Sequence, residues 1–547
     1  MALSGWTGGR RGGRQDDARR RGGRRAAGGN AEREPTKPSA LSQVLAGLTV
    51  SLAMLPESLA FTFVAGVAPQ VGVMTAAMMA GICALLGAQP GVISGAAGAT
   101  AVVIAPLVAA HGVEYLFACV ALTGLIQLGA GAARLGKYIR LVPQPVMMGF
   151  VNGLALVIGC AQFKQFQVAS GAWLTGAPLC TMTALVAATM ALIYAVPRFV
   201  TKAVPAPLVA IVTVSAAVKA FAVETRTLGD LASIAGGLPS LHLPQVPASF
   251  ETLAIVAPFA VSVAAVGLIE TLLTQQLVDQ LTDKRTETHT ECIAQGVANI
   301  ATGMCGGMGG CAMIGQSVIN VNAGGRGRLS GLSCSLALFG FVLYGSALIE
   351  AIPLAALVGT MWMLVLDIWD KSTFKRIGRV PKTDIVVVAV VTAVTVLTNL
   401  AIAVGCGVVI SCISFSWKSA QRIFVVRRVE PAAYNGNPAA VYLFTGPLFF
   451  ASVTRFGEFA DARAEDEGIV VLDFQDSRVW DQSALEAIND AVSRFQAMGK
   501  EVHLRHLSAD CRRPLARAGD LVEVNVLEDP DYGVAVNYDA ATLRAGP

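Results

Sequence analysis

Long apolar stretches separated by short polar loops dominate residues 41–426 of this 547-residue chain. Most of them approach the length of about 20 apolar residues that a helix needs to cross a bilayer. We divide them into fourteen segments, at 42–66, 72–88, 97–110, 115–133, 144–163, 180–196, 206–222, 253–281, 292–303, 312–322, 331–349, 352–369, 384–401 and 403–424. The pattern therefore predicts a polytopic α-helical membrane protein.

Two of these segments, 97–110 and 312–322, are too short to span a bilayer, and glycine interrupts the chain at or before each. They are the third segment of the first seven and the third of the second seven. Interrupted segments at matching positions in two halves are typical of a binding site between inverted repeats. Bare backbone at membrane depth is tolerated only inside protein or beside a polar cavity. We therefore expect two inverted seven-segment repeats around a central site.

The composition supports a membrane domain flanked by polar ends. Hydrophobic residues make up 54% of the chain and charged residues 14%, against about 25% charged in a soluble domain. Residues 1–40 hold nine Arg and one Lys against four acids, which predicts a disordered basic tail. The four acids argue against an organelle transit peptide.

Basic residues predict the orientation in the bilayer. Lys and Arg follow the even-numbered segments, on the same side as the basic tail, as expected of cytosolic loops. An even count of segments places the C-terminus on that side as well. We therefore expect an integral protein, in the plasma membrane, with both termini in the cytosol.

After the last apolar segment, the long apolar stretches give way to the pattern of a soluble domain. We predict a linker at 427–437, a small α/β domain at 438–540 and a short tail at 541–547. Strands are predicted at 440–445, 468–474 and 501–505, and an amphipathic helix at 483–498, an alternation typical of α/β domains.

The two interrupted segments carry the candidate anion site. Free N–H groups and the helix dipole attract anions to a helix N-terminus. The candidate residues are Ala97, Gly98, Ala99, Thr100, Met313, Ile314, Gly315, Gln316 and Ser317. The hydroxyls of Thr100 and Ser317 and the amide of Gln316 would add neutral donors. The alternative is that the small residues only allow close helix packing.

Two acids within apolar segments are candidates for coupling transport to a cation. Glu270 lies in the eighth segment with Thr274 one turn further on, and Glu57 follows Pro56 in the first. A buried acid is costly and is usually functional. Glu270 with Thr274 would bind Na⁺ as a cotransported ion, or a desolvated glutamate would carry a proton. The alternatives are a Glu270 satisfied by a neighbouring donor and a Glu57 that faces water.

The sequence offers no sign of enzyme chemistry. We see no Ser/His/Asp set, phosphate-binding loop or His/Cys metal cluster, and the eleven cysteines show no ligand spacing. We therefore predict no catalytic residues, no cofactor apart from a cotransported Na⁺, and no nucleic-acid partner.

The chain resembles the sulfate permease (SulP) family of anion transporters. The matching stretches are 52–61, 134–143, 267–274, 295–299, the glycine-rich break up to 331, and 397–404, and the C-terminal region resembles the family's STAS domain. The resemblance implies core and gate parts built from two inverted repeats, with the anion between 97–101 and 313–317. It also implies cation binding at Glu270 and Thr274, or proton coupling through Glu57. Animal members often have Arg where this chain has Gln316, which suggests that a cotransported cation neutralises the substrate here.

The STAS resemblance adds a regulatory candidate. In antagonist-type STAS domains a serine near a helix start is phosphorylated, and Ser483 stands at the matching place. The alternative is that Ser483 is an ordinary N-cap, a position that serine favours.

The sequence therefore predicts a secondary active transporter of a small inorganic anion, bicarbonate or sulfate, moved by rocking or elevator-like motion with Na⁺ or H⁺. We also expect a homodimer to which the STAS domain contributes. Four alternatives stay open: a dicarboxylate/H⁺ symporter, an uncoupled anion channel or exchanger, a nucleobase–cation symporter, and a membrane-anchored sensor.

Overall fold

The computed structural model describes residues 39–168, 171–199, 205–230, 240–369, 381–398, 400–434, 437–459 and 467–506. Within them, each of the fourteen predicted segments contains a helix. The helices are α1 (Ala40–Ala65), α2 (Pro69–Leu86), α3 (Gly98–His111), α4 (Val113–Ala132), α5 (Gln144–Gln162), α6 (Ala177–Phe199), α7 (Ala206–Ala220), α8 (Phe250–Thr282), α9 (Thr288–Gly303), α10 (Ile314–Asn322), α11 (Arg328–Tyr344), α12 (Ser346–Glu350), α13 (Leu354–Ile368), α14 (Lys382–Leu397) and α15 (Leu400–Ala420). Nearly all of the predicted basic tail, and the chain beyond 506, lie outside the described residues.

One predicted segment is divided into two helices in the structure. Residues 331–349 were expected as a single helix, but α11 ends before Gly345 and the short α12 follows it. Over the described residues, seven helices are long and apolar enough to cross a bilayer. α3 has 14 residues and α10 has 9, so both are as short as the sequence predicts.

Local sequence signals mark the ends of the helices. The Ser39 side chain accepts a hydrogen bond from Ser42 N at 3.1 Å and caps α1, which ends at Gly66 in the left-handed region with φ of 75°. Glycine adopts that conformation without the steric cost that a side chain brings. The Ser249 side chain caps α8 by accepting from Thr252 N at 3.2 Å. These signals explain why the predicted boundaries lie within a few residues of the observed ones.

The helices pack as two interlocked repeats. α2 packs on α11 and α9 packs on α4, and these pairs exchange when every segment is moved by seven positions. The same exchange relates the contact of α1 with α10 to that of α3 with α8. It also relates the contact of α5 with α14 to that of α6 with α13, because α13 and α14 are the twelfth and thirteenth segments. By their contacts, the first four segments of each repeat form one group, the core part, and segments five to seven with twelve and thirteen form a second, the gate.

The connection between the repeats is tied to the core. The Glu114 carboxylate at the start of α4 lies 2.9 Å from Nε2 of His242 and accepts from Gln245 N at 2.7 Å. His242 N donates to Met304 O at 2.8 Å, just before the glycine-rich break. These contacts hold the described part of this crossover against α4 and the end of α9.

The C-terminal unit is a small α/β domain. Two short strands, β1 (Ser94–Gly95) and β2 (Cys311–Ala312), form a separate sheet among the membrane helices. The sheet of the C-terminal unit has the order β3 (Phe424–Tyr434), β4 (Asn437–Leu448), β5 (Ile469–Val479) and β6 (Glu501–Arg505). β3 and β4 are antiparallel, whereas β4, β5 and β6 run parallel. Two helices, α16 (Val453–Phe459) and α17 (Gln482–Ala497), complete the described part. The apolar face of α17 and the sheet share one core that includes Phe444, Phe474 and Phe495.

Two expectations for this unit differ from the structure. Residues 427–434, most of the predicted linker, belong to β3, because their backbone pairs with β4 in a ladder that begins at Phe424. The N-cap of α17 is Asp481 rather than Ser483, since Asp481 Oδ1 accepts from Ala484 N at 3.0 Å. Ser483 lies half-buried in the first turn of the helix.

Candidate anion site and its coupling residues

The two interrupted segments meet through a short antiparallel ladder. Ser94 and Gly95 of one strand pair with Ala312 and Cys311 of the other. The two strands lie just before the starts of α3 and α10. Met313 N donates to Ile93 O at 3.0 Å and extends the ladder by one bond. The ladder places the starts of the two half-helices side by side at the centre of the repeats.

Glycine is required in this ladder because the two backbones approach closely. A Cβ atom on Gly310 would lie 2.0 Å from the carbonyl oxygen of Gly95. A Cβ atom on Gly98 would lie 2.7 Å from the ring of Phe61. Glycines at these two positions therefore allow close packing, and the anion-site interpretation stays a prediction.

Neither α3 nor α10 has a charged residue in its first turn. Neither helix has a side-chain cap. The first intrahelical bonds run from Ala101 N to Ala97 O and from Ser317 N to Met313 O. The N–H groups before these have no intrahelical acceptor, and the helix ends carry partial positive charge. This arrangement suits a small anion.

The predicted anion-site residues divide into buried and open positions. Ala97, the N-cap of α3, is buried, as are Ala99 and Thr100 on α3 and Ser317 on α10. Ile314 and Gly315 are exposed, and a Cβ atom on Gly315 would meet nothing within 4 Å. The open side of the site therefore lies along the first turn of α10.

The hydroxyls expected as anion donors have other partners in this structure. Thr100 Oγ1 donates to Ala97 O at 2.8 Å, inside its own helix turn. Ser317 Oγ accepts from Ile93 N at 3.0 Å and so braces the ladder. Backbone N–H groups of the two helix starts are thus the main donors available to an anion.

Glu57 meets α10 directly. Gln316 Nε2 donates a hydrogen bond to Glu57 Oε2, which joins α1 to the third residue of α10. Gln316 is 4% exposed and Glu57 is half-buried. The interpretation of Glu57 as an acid that merely faces water is therefore wrong.

Glu270 lies on the other side of the same helix start. Cys311 Sγ donates to Glu270 Oε2 at 3.0 Å, and Thr274 Oγ1 donates to Glu270 O at 2.8 Å. Thr271 Oγ1 accepts from Ala312 N at 3.1 Å, which fixes α8 to the ladder. The two acids thus contact residues on either side of Met313.

The surroundings of Glu270 are compatible with a small hard cation. Such ions take oxygen ligands from carboxylates, hydroxyls and carbonyls. The Thr274 hydroxyl lies one turn after Glu270, and its Oγ1 is 2.8 Å from Glu270 O and 3.4 Å from Ala312 O. Among the described residues no group of three His, Cys, Asp or Glu side chains could hold a metal, so a cation here would rely on neutral oxygens.

Buried amides behind the ladder complete the site, and the sequence reasoning assigned them no role. Asn299 Nδ2 donates to Gly310 O at 3.0 Å, and Asn299 Oδ1 accepts from Gly310 N at 2.9 Å. Gln127 Oε1 accepts from Asn299 Nδ2 at 2.8 Å, and Gln295 Oε1 accepts from Ser94 Oγ at 3.2 Å. The sequence feature that could have indicated these amides is the spacing of Gln295 and Asn299, which lie one turn apart in a largely apolar helix. Buried amides of this kind need partners.

A third acid of the membrane domain, Glu291, has a structural role that the sequence did not reveal. Glu291 is 1% exposed, and its Oε2 accepts from Ala88 N at 2.8 Å and Gln89 N at 3.3 Å. Asp279 accepts from Gln89 Nε2 at 2.6 Å. These contacts hold the loop after α2 against α8 and α9.

Comparisons with known proteins identify the family of the chain. The model of the sulfate permease family matches residues 41–391, and that of the STAS domain matches residues 430–529. "Putative sulfate transporter YbaR" of Bacillus subtilis (strain 168) is 41% identical over 466 residues, covering 85% of this chain and 94% of that protein. "Bicarbonate transporter BicA" of Picosynechococcus sp. is 30% identical over 391 residues, covering 67% of this chain and 69% of that protein.

Solved structures show the same fold. The transmembrane domain of a cyanobacterial bicarbonate transporter BicA aligns with a TM-score of 0.59 at 30% identity, covering 66% of this chain and 97% of that one. The murine Slc26a9 anion transporter aligns with a TM-score of 0.73 at 15% identity, covering 89% and 88%. Interlocked repeats around paired half-helices, with these relatives, define a membrane anion transporter. The chain belongs to the sulfate permease family, and it carries a STAS domain.

Proposed function

We propose that this protein is a secondary active transporter of a small inorganic anion, bicarbonate or sulfate, driven by cotransport of Na⁺ or H⁺. The observation that carries the proposal is the pair of uncapped half-helix starts held side by side by the ladder of Gly95 and Cys311. Each helix end contributes about half a positive elementary charge. Together they balance about one negative charge without a fixed cation, so an anion can bind and can also be released.

The coupling proposal rests on the two acids beside these helix starts. Glu270 has a hydroxyl and backbone carbonyls nearby, which favours Na⁺, whereas Glu57 has an amide donor as its partner, which favours H⁺. An acid inside a membrane protein is expensive and is kept for a function. A channel has no need of either group, so their presence favours coupled transport over an uncoupled pore.

The substrate proposal follows the chemistry of the site and the names of the relatives. Similar proteins are named for sulfate and for bicarbonate. A site of backbone N–H groups favours oxyanions over nucleobases, and α10 has no acid of its own in its first turn. Dicarboxylates are the second candidate, because a proton-carrying Glu57 would suit a divalent substrate.

We further propose the plasma membrane as the location, with both termini in the cytosol and a homodimer as the assembly. The basic loops after even-numbered segments support this orientation. Ser483 is proposed as a phosphorylation site of the STAS domain. Its half-buried place in the first turn of α17 suits a phosphate, which helix N-termini stabilise.

The proposal is tested by uptake into liposomes that contain the purified full-length protein. Labelled bicarbonate, sulfate and fumarate are supplied under imposed Na⁺ or H⁺ gradients, and accumulation beyond equilibrium is measured. We expect Glu270→Gln to abolish Na⁺-driven accumulation, with Glu114→Gln as the matched control because Glu114 contacts the crossover instead.

Equilibration without accumulation in the wild type would make the protein a channel or exchanger. Full accumulation in the Glu270→Gln variant under a Na⁺ gradient would remove Glu270 from the coupling mechanism.

A further inference from the structure

An apolar groove lies between α4 and α8, and none of its lining residues belongs to the candidate anion site. Its volume is about 510 Å³, within the range of about 300–1,000 Å³ that small-molecule sites occupy. Ala118 and Leu122 line it from α4, and Leu253 and Val256 line it from α8. Its walls are apolar apart from the hydroxyls of one serine and one threonine. The groove therefore suits an apolar occupant.

Residues 246–249 of the crossover close one end of the groove. The residue before them, Gln245, donates its backbone N–H to Glu114 Oε2 on α4 at 2.7 Å. At the other end of this stretch, the Ser249 side chain accepts from Thr252 N on α8 at 3.2 Å. The closing segment is thus fixed to both helices, so the groove is a defined part of the fold.

The groove opens onto an apolar surface. Phe250 at the start of α8 is 85% exposed, and Leu253 one turn further is exposed as well. On α4 the exposed Leu125 continues the face that Leu122 begins. α8 has 33 residues, more than the about 20 that cross a bilayer, so its first turn reaches the level of the lipid headgroups. Phospholipids are therefore the molecules that meet this opening.

The rim of the groove is acidic. Glu251 is exposed in the first turn of α8, between two residues that line the groove. Glu114 lies one turn before Ala118 on α4. The chain has no Lys or Arg from 111 to 130 or from 240 to 256. This rim attracts an ammonium group and repels a headgroup with net negative charge.

We propose that the groove binds an acyl chain of a phospholipid, and that Glu251 binds the ammonium group of its phosphatidylethanolamine headgroup. A chain gains little by leaving other chains for the groove, because lipid tails are as apolar as leucine. Selectivity among lipids therefore comes from the headgroup. The bound chain packs under residues 246–249 and stiffens the connection between the two repeats. This lipid site goes beyond the proposed transport of an anion.

The test offers the purified full-length protein in detergent an equimolar mixture of dioleoyl phosphatidylethanolamine and dioleoyl phosphatidylglycerol. Native mass spectrometry counts the lipids that each protein retains. We expect the wild type to retain phosphatidylethanolamine about threefold better, since an exposed ion pair contributes only modestly. In nanodiscs, amide exchange at Val246 and Ala248 should be slower with phosphatidylethanolamine than with phosphatidylglycerol alone.

Two variants on α4 test the groove itself. Ala118→Trp fills the groove and should remove the retained lipid and the headgroup dependence of amide exchange. Ala118→Leu fills it in part and should lower retention, which keeps the test available if the tryptophan variant misfolds. Leu125→Trp is the matched control, because it adds the same ring on the same face of α4 but outside the groove.

Charge changes at the rim test the headgroup contact. Glu251→Gln should keep a bound lipid but lose the preference, and Glu251→Lys should reverse the preference towards phosphatidylglycerol. Glu224→Lys is the matched control, since it makes the same charge change at an exposed residue near α7 that does not line the groove. That variant should keep the wild-type preference.

The outcomes decide the proposal without any measurement of transport, so they are independent of the anion that the protein carries. A wild type that retains no lipid overturns the lipid site. So does wild-type retention in both Ala118→Trp and Ala118→Leu. Equal retention of the two lipids by the wild type, or an unchanged preference in Glu251→Lys, overturns the headgroup contact.

Discussion

Gly310→Ala tests whether the ladder between the half-helices sets the geometry of the site. The added Cβ atom would lie 2.0 Å from Gly95 O, whereas such contacts essentially never fall below 3.0 Å. The two backbones must therefore separate by at least 1 Å. Because the obstacle is backbone, no side-chain rotation relieves it.

The size of the effect follows from what the separation breaks. Forcing a methyl group into a packed core costs about 1–3 kcal/mol. Gly310 also exchanges two hydrogen bonds with Asn299, and weakening both adds about 1–3 kcal/mol. We expect the folded state to lose about 2–6 kcal/mol in total, and anion binding to fall with it because α3 and α10 no longer start side by side.

The assay is thermal unfolding of the full-length protein in detergent, combined with sulfate binding. Gly340→Ala on α11 is the matched control, since its Cβ atom would meet nothing within 4 Å, and alanine in a helix interior is favoured by about 0.5–1 kcal/mol. An unchanged melting temperature together with unchanged binding in Gly310→Ala would refute the reasoning.

Three further predictions concern single contacts. Thr274→Val should lower the apparent Na⁺ affinity of transport by about tenfold through loss of an oxygen ligand, while Thr274→Ser should restore it; equal Na⁺ dependence in both variants would exclude the hydroxyl. Asp481→Ala should destabilise the first turn of α17 by about 1 kcal/mol, seen as faster amide exchange there, with Gln482→Ala as a control that leaves exchange unchanged; slow exchange in Asp481→Ala would contradict the cap. Glu114→Gln should loosen the crossover and speed amide exchange at Gln245, whose N–H it accepts; no change would show that the loop is held elsewhere.

The sequence was sufficient to predict the helices and the breaks because both depend on local chemistry. Apolar length defines a membrane segment, and serine, proline and glycine mark its ends, as Ser39 and Gly66 do for α1. The shortness of 312–322 and its glycine-rich approach were enough to locate α10. The strand at 427–434 was missed because it depends on pairing with β4, which no local pattern in the sequence indicates.

The hydrogen-bond partners of the side chains could not be predicted from the sequence, because they depend on which helices and strands contact each other. Thr100 and Ser317 were expected to donate hydrogen bonds to an anion. Instead, the Thr100 hydroxyl donates to a backbone oxygen and the Ser317 hydroxyl accepts from a backbone N–H. Gln316 is 259 residues from Glu57 along the chain, and no local pattern couples them. Repeats related by inversion bring such distant residues together, so the positions of the two half-helices were predictable while their hydrogen bonds were not.

The exchange of contacts between the repeats has a consequence for biogenesis. α2 and α4 pack chiefly on α11 and α9, which the ribosome makes only after α7 and the crossover. Early helices therefore enter the bilayer with their polar faces, including Gln127 on α4, still without their final neighbours. A chain stopped after α7 would present such faces to lipid or to the insertion machinery. The native partners of half the core are supplied only when synthesis has passed α11.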